Sequence, residues 1–246
     1  MTGQRLAWTD DTLAAPHDVP DKAQRVRTMF NGIAPRYELV NTLFSLGLDR
    51  LWRRTAVRLA QVGPRDEVLD IASGTGDLAR AFHRAGPKLV VGTDFAHQML
   101  LRAAGRARGP RHWCESDAMA LPFPQACFDV VSCAFGIRNF QNLDGGVREM
   151  VRVLRPGGRA IILEFTTPGN RVVRSVHGVY ARRFMPLAAR LISGDQTGAY
   201  RYLPESVVSF VSGEELVHRL HTVGFDRVER VPMTMGVVTV YAAWRK

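Results

Sequence analysis

The chain has 246 residues, of which 46% are hydrophobic, and a mean hydropathy of −0.09, which indicates a folded protein with a sizeable core. No apolar run reaches the length of a membrane span, and three cysteines in apolar surroundings exclude a disulfide-stapled scaffold. We therefore expect reduced thiols and a cytoplasmic protein. The net charge of +10 indicates attraction to an anionic partner, either nucleic acid or an anionic membrane surface.

Residues 1–20 are polar, contain two prolines and show no periodicity, so we expect a mobile tail there. The remainder, 21–246, is expected to form a single domain that begins with helices over 21–63. Asp21 precedes the first of them as a cap, and its apolar residues recur at helical spacing. A second helix is predicted over 37–44, and a third begins at Asp49 and ends before the Gly63-Pro64 stop signal.

Short apolar runs then alternate with helical or loop segments, which is the pattern of a parallel sheet. The predicted strands are 68–71, 89–93, 111–114, 128–133 and 160–165, followed after a helical insert by an antiparallel pair at 225–231 and 237–244. The expected fold class is α/β, a mostly parallel seven-stranded sheet with helices on both faces. Residues 64–165 are its core, 166–225 an insert, and 226–246 the closing strands.

A loop of small residues follows the first strand and precedes a helix. Its candidate ligand-binding residues are Asp70, Ser73, Gly74, Thr75 and Gly76. Such a turn lets the backbone approach a ligand, but neither the full dinucleotide fingerprint nor a phosphate-binding Gly-Lys-Ser/Thr is present. A cofactor with a nucleoside and a carboxylate but no phosphates fits, and S-adenosylmethionine (SAM) is such a molecule. A plain tight turn is the alternative.

The ends of the next two strands carry further acidic residues. Asp94 follows the second strand 20 residues after Gly74, the spacing at which a carboxylate accepts ribose hydroxyls. A helix cap is its other interpretation, and both roles can coexist. After the third strand, Asp117 is expected to accept the adenine amino group and the Ala118 N–H to reach a ring nitrogen. A solvated loop aspartate is the alternative for Asp117.

Four segments resemble the ubiquinone/menaquinone biosynthesis C-methyltransferase family, a group of class I methyltransferases with a Rossmann-like fold. They are residues 37–45 together with Asp49 and Trp52, residues 134–139, residues 152–158 and residues 200–206. The Phe-Gly-Ile-Arg-Asn run and the Tyr–Asn–Ser–Trp spacing are the more specific of these features, and the resemblance extends from about residue 25 to the C-terminus.

The resemblance implies methylation of a ring carbon on a reduced polyprenyl quinone precursor, a reaction that needs no metal and no covalent nucleophile. Arg138 and Asn139, after the fourth strand, are the expected catalytic residues, with Tyr200 as a weaker candidate from the insert. Arg138 would stabilise a phenolate or orient a water that takes the proton. A structural ion pair is the alternative for this arginine.

Two other classes of protein fit parts of the sequence. A nucleic-acid methyltransferase would account for the positive charge. However, the Asn/Asp-Pro-Pro-aromatic motif of enzymes that methylate base amino groups is missing after the fourth strand. Enzymes that methylate a base carbon need a cysteine nucleophile, and Cys133 is expected to be a core residue instead. Nucleic acid is therefore not the expected partner. A non-enzymatic cofactor-binding module stays open, as does a homodimer.

Residues 171–192 combine five arginines with apolar residues near helical spacing and contain no acidic residue. The basic residues are Arg171, Arg174, Arg182, Arg183 and Arg190. Such a segment is expected to lie on an anionic membrane, at the inner face of the cell membrane, as well as to cover the cofactor. The alternative is an ordinary amphipathic helix whose arginines face water.

Overall fold

The computed structural model describes residues 6–179 and 197–246. Within them, seven strands form one sheet. The strands are β1 Glu67–Ile71, β2 Leu89–Asp94, β3 His112–Glu115, β4 Phe128–Ala134, β5 Leu154–Phe165, β6 Phe225–Met233 and β7 Val238–Arg245. Their order is β3-β2-β1-β4-β5-β7-β6, in which all neighbours are parallel except β7, which runs antiparallel to β5 and β6. The predicted α/β class and seven-stranded topology are confirmed.

The strand order reverses between β1 and β4. In β1, Val68 to Ile71 pair with β2 on one side and with Val130 to Cys133 of β4 on the other. At such a point the connecting segments leave toward opposite faces of the sheet, which opens a crevice at the carboxyl ends of the two strands. The loop after β1 and the loop after β4 therefore border one cleft.

Ten α-helices lie in the described ranges. They are α1 Asp10–Ala14, α2 Lys22–Ile33, α3 Tyr37–Phe44, α4 Asp49–Ala60, α5 Asp77–Ala85, α6 His97–Ala104, α7 Leu143–Val153, α8 Arg171–Val179, α9 Ala199–Val208 and α10 Gly213–Val223. In α2 the predicted apolar stripe is buried at Val26, Met29 and Ile33. Strand β5 begins at Leu154, earlier than the predicted 160–165, because residues 155–158 bulge out of the β4–β5 ladder.

The sheet is buried on both faces, as a parallel sheet requires. On one face α4 and α5 contribute Trp52, Leu78 and Phe82 to a core with alternate strand residues. On the other face α7 and α10 pack Met150 and Leu220 against the remaining strand positions. A third cluster, away from the sheet, joins α2 to α6 and α9.

Residues 6–20 differ from the expected mobile tail. Trp8 is buried, its ring stacks on Tyr202 with 4.1 Å between centroids, and its backbone N–H donates to Thr197 O at 3.0 Å. Leu13, in the short helix α1, is also buried. The sequence did not predict these contacts, because the segment packs mainly through one indole ring and has no periodic apolar stripe.

The insert between β5 and β6 holds no strand in its described residues, as predicted. It contributes α8, α9 and α10. The predicted amphipathic segment 171–192 is described only as far as Val179, so Arg182, Arg183 and Arg190 lie outside the described residues. No helix in 6–179 or 197–246 combines the length and the hydropathy that a bilayer crossing demands.

Trp8→Ala should destabilise the protein by about 3–5 kcal/mol, because it removes a large buried side chain and leaves a cavity against Tyr202. Urea unfolding followed by circular dichroism measures this. The control is Leu101→Ala, at a side chain that is 53% exposed, which should change stability by less than about 0.5 kcal/mol. Equal stability of the two variants would mean that residues 6–20 behave as a tail.

Candidate active site

A cleft lies at the carboxyl ends of β1 to β4, and the space between its walls, open solvent included, is about 650 Å³. Of the predicted site residues, Gly74, Asp94, Asp117, Ala118 and Asn139 line it. These residues come from four different loops, and the sheet brings them together because parallel strands end at the same edge.

The glycine loop is shaped by its two glycines. Gly74 has φ of +56°, and a Cβ built on it would meet no atom within 4 Å, so its backbone borders the open cleft. Gly76 has φ of +79°, and a Cβ there would lie 2.4 Å from the Trp113 ring. A side chain at Gly76 is therefore excluded by both conformation and space, and the loop rests directly on the indole.

Asp94 connects the second strand to this loop. Its Oδ2 accepts the Gly74 N–H at 2.8 Å and its Oδ1 accepts the Ala96 N–H at 2.8 Å, just before α6. Burial raises the pKa of Asp94 to about 6. The carboxylate thus fixes the loop and the helix start while it lines the cleft, and each oxygen keeps a second lone pair for a ligand.

The loop after β3 supplies Ser116, Asp117 and Ala118. Asp117 is exposed, and its Oδ1 accepts the Met119 N–H at 2.9 Å, so an ordinary turn holds its side chain. Ser116 also lines the cleft, and its hydroxyl is buried without a hydrogen-bond partner in the described structure. An unpaired buried hydroxyl at a cleft wall is a polar group available to a ligand.

Four of the predicted cofactor residues, Asp70, Ser73, Thr75 and Gly76, are not among those that line the cleft. Asp70 is almost fully buried, its Oδ1 accepts the Ser132 hydroxyl at 2.7 Å, and burial raises its pKa to about 7. The Ser73 hydroxyl donates to Asp70 O at 2.6 Å. These residues support the loop from behind rather than facing the cleft.

The charges that line the cleft favour a cationic ligand over a phosphate. Two of its lining residues are aspartates, and among the described residues no lysine, arginine or histidine lines it. Carboxylates without cations repel phosphate but attract a neutral or positively charged ligand. A nucleoside bearing a sulfonium cation, as in SAM, fits this donor set.

A second, larger cavity adjoins the cleft and is mainly apolar; the space between its walls, open solvent included, is about 1,940 Å³. Tyr37 and Phe135 line both spaces, so they form the boundary between them. Phe135 has φ of +57°, a conformation that bulky residues rarely adopt, immediately after β4. Arg138 and Tyr200 line the apolar cavity, in line with their predicted place on the substrate side.

Arg138 is buried in an ion pair. Its Nη1 donates to Glu164 Oε1 and to Phe135 O, both at 2.7 Å, and its Nε donates to Ser206 Oγ at 3.3 Å. Burial raises the pKa of Glu164, and the guanidinium opposes this shift. The structural ion pair is thus present, and it holds the guanidinium at the wall of the cavity.

Asn139 is fixed in a similar way. Its Oδ1 accepts the Tyr202 hydroxyl at 2.9 Å and its Nδ2 donates to Phe135 O at 3.2 Å. These two bonds orient the amide at the edge of the cleft.

Sequence reasoning missed several residues that build the site. Lys22 is 3% exposed, and its ammonium donates to Arg138 O at 2.9 Å and Phe140 O at 2.6 Å, while burial lowers its pKa to about 8. A lysine in the first turn of an amphipathic helix carries no local signal of such a role. Glu164, Tyr37 and the cleft-lining Phe95 likewise need tertiary structure, although Phe95 directly follows Asp94 in the chain.

Comparisons with known proteins agree with this arrangement. A demethylmenaquinone methyltransferase of Thermus thermophilus is 45% identical over 88% of this chain and 100% of its own length. A ubiquinone/menaquinone biosynthesis C-methyltransferase UbiE of Geobacter sulfurreducens is 43% identical over 90% of this chain and 88% of its own. A solved SAM-dependent methyltransferase from Thermotoga maritima, 18% identical with a TM-score of 0.62, covers 89% of this chain and 99% of its own and shows the shared fold.

A family model described as the ubiE/COQ5 methyltransferase family matches residues 19–245, which is nearly the whole chain. The protein therefore belongs to the ubiE/COQ5 methyltransferase family.

Proposed function

We propose that the protein transfers a methyl group from SAM to a ring carbon of a reduced polyprenyl quinone precursor, of the demethylmenaquinol type. The family and the names of the relatives at 43–45% identity support SAM-dependent C-methylation in quinone biosynthesis. The proposal covers menaquinone and ubiquinone precursors, since relatives of both names match.

One observation carries the proposal. A cleft lined by carboxylates adjoins a larger apolar cavity, and Tyr37 and Phe135 line both. A methyl transfer to a lipid needs a polar cofactor and an apolar substrate to meet at one boundary in line, with water excluded. A small polar substrate or an RNA base would make no use of the larger cavity.

On the cofactor side, Asp94 is assigned to the ribose hydroxyls, Asp117 to the adenine amino group and the Ala118 N–H to a ring nitrogen. Gly74 lets the backbone approach the methionine part. When bound, SAM supplies an electrophilic methyl group. The two aspartates give the cleft a negative potential that suits the sulfonium cation.

On the substrate side, Arg138 and Tyr200 are assigned to the quinol ring, while Asn139, which lines the cleft, is assigned to the place where cofactor and ring meet. A ring carbon becomes nucleophilic when a neighbouring phenol loses its proton, and Arg138 lies at the cavity wall as a cation for the resulting phenolate. Glu164 holds this guanidinium in place, so its orientation is set before substrate binds. Tyr37 and Phe135 close the boundary against water.

Incorporation of labelled methyl from SAM tests the substrate class. With demethylmenaquinol and total RNA offered in parallel, label should enter the quinol and not the RNA. Label in RNA alone would assign the activity to a nucleic-acid methyltransferase.

Asp94→Ala should weaken SAM binding at least tenfold in calorimetry, because a carboxylate that accepts hydroxyl hydrogen bonds contributes about 1.5–3 kcal/mol. Asp226→Ala, at an exposed carboxylate on β6, is the matched control and should bind SAM as the parent does. Unchanged affinity in a folded Asp94→Ala protein would rule out the ribose assignment.

SAM affinity should depend on pH through Asp94. Its pKa of about 6 means that the carboxylate is protonated, and a weaker acceptor, below that pH. At about pH 5 only about one tenth is ionised, so the Kd should be about tenfold higher than at about pH 7. Asp70 titrates near pH 7 in the same range, so Asp94→Asn is the informative variant. The Asp94→Asn protein should bind SAM weakly, and its Kd should no longer change near pH 6. A change in Kd that persists near pH 6 would belong to another titrating group.

Arg138→Ala should lower turnover by about a hundredfold or more while the Kd for SAM changes little, because the guanidinium acts on the developing phenolate. This variant also leaves Glu164 buried and unpaired, which costs about 3–5 kcal/mol of stability. The double variant Arg138→Met/Glu164→Leu removes both charges and should recover stability but not turnover. Normal turnover in either variant would mean that Arg138 has only a structural role, in its ion pair with Glu164.

A further inference from the structure

Exposed apolar side chains collect around the mouth of the apolar cavity. We call them the leucine–methionine rim. Its members are Leu46, Leu48, Leu51, Val172, Val208 and Met235. Leu46, Val172 and Met235 are each more than 70% exposed, which is unusual for large apolar residues of a folded protein.

The rim is continuous with the cavity. Leu46, Leu48 and Val208 line it directly, and the exposed Leu51 lies on α4 next to Trp52, which also lines the cavity. Val172 lies in α8, which contributes Arg174 and Gly178 to the lining.

The turn between β6 and β7 brings Met235 to the same place. Thr234 and Thr166 line the cavity, and the Thr166 hydroxyl donates to Gly236 O at 2.8 Å. The Trp52 Nε1–H donates to the Thr234 hydroxyl at 2.8 Å, which ties this turn to α4. Met235 therefore projects from a turn held against the cavity wall.

The clustering distinguishes the rim from ordinary exposure. Among the described residues eight large apolar side chains are exposed, and all but Leu39 and Leu101 belong to the rim. Single exposed leucines are common in folded proteins, but a contiguous set around one opening marks an interaction surface.

The backbone holds two of these side chains outward in rare conformations. Leu46 has φ of +52° and Met235 φ of +54°, each at the tip of a turn, and the adjacent Thr234 has φ of +47°. Leucine, methionine and threonine adopt such angles only where the surrounding structure imposes them. The turns that display the rim are thus set by the fold.

The elements that carry the rim are basic. Exposed arginines accompany it at Arg50, Arg54 and Arg58 on α4 and at Arg171 and Arg174 on α8. None of the five forms an ion pair within the described chain. The acidic residues nearby are Asp49, which is buried with Arg53, and Glu205 on α9, which is partly buried. The rim therefore combines apolar side chains with uncompensated positive charge.

We propose that the leucine–methionine rim docks on an anionic lipid bilayer, with the cavity mouth toward the hydrocarbon. Apolar side chains that enter the headgroup boundary, flanked by arginines that attract anionic lipid, are the features of a membrane-surface contact. A protein partner on this face would cover the opening, whereas a bilayer leaves it accessible to a lipid substrate. The choice of a bilayer over a protein rests on the proposed quinol substrate, whose tail would then pass into the cavity without crossing water.

Sedimentation of the full-length protein with vesicles tests the docking without an activity assay. Phosphatidylcholine vesicles with and without phosphatidylglycerol are compared, at low and high salt. The parent protein should bind the anionic vesicles and be released by salt. Leu51→Glu/Met235→Glu, at two rim residues that do not line the cavity, should lower the bound fraction at least fivefold, and Leu101→Glu on α6 is the matched control.

Circular dichroism establishes that each variant is folded. Equal binding of parent and rim variant to anionic vesicles would overturn the proposal. So would a parent that forms dimers in solution which the rim variant dissociates, because the rim would then belong to a second copy of the chain.

Methylation assays separate this inference from the proposed function. With a short-chain quinol in solution, the rim variant should match the parent, whereas with a long-chain quinol in anionic vesicles its rate should fall along with binding. Vesicle binding that depends on the rim without methylation of either quinol would leave the docking intact and refute the quinol substrate. Normal rates of the rim variant on vesicle-borne quinol would overturn the docking.

Discussion

The buried ion pair between Arg138 and Glu164 is the interaction on which the site depends. It joins the turn after β4 to the end of β5, and it places one positive and one negative charge in a region almost without water. The two buried charges are tolerated there because they face each other and because Phe135 O and Ser206 Oγ accept two further guanidinium hydrogens. Lys22 secures the same turn from the other side by its bonds to Arg138 O and Phe140 O.

This arrangement separates the charges of the two halves of the site. The cleft is lined by carboxylates and the apolar cavity by Arg138, with Tyr37 and Phe135 between them. In the proposed reaction, the cationic cofactor and the anionic phenolate would each lie on the side whose charge favours it. The strained φ of Phe135 is the local cost of setting an aromatic ring at this boundary.

The sequence was sufficient to predict the sheet and part of the cleft lining but not the residues that support the cleft. The strands and the loops after β1, β2 and β3 follow local rules of periodicity and strand-end chemistry, so Asp94 was predicted from its spacing and Asp117 from its place after β3. Asp70 was found too, but its burial behind the loop could not be, since orientation depends on Ser132 from another strand. Trp8, Lys22 and Glu164 act through contacts between distant segments, for which a single sequence carries no signal.

The packing of Trp8 on Tyr202 also has a consequence for how the chain comes to be folded. The contact spans 194 residues (202 − 8), and the bond from His17 to Ser206 O spans 189. During synthesis the residues of the cleft, which end at Gln141, leave the ribosome well before those of α9. Until α9 follows, Trp8 lacks its partner Tyr202 and the apolar cavity lacks one of its walls, so the unfinished chain exposes apolar surface of the kind that promotes aggregation. The N-terminal segment can therefore reach its final position only after almost the whole chain has been made.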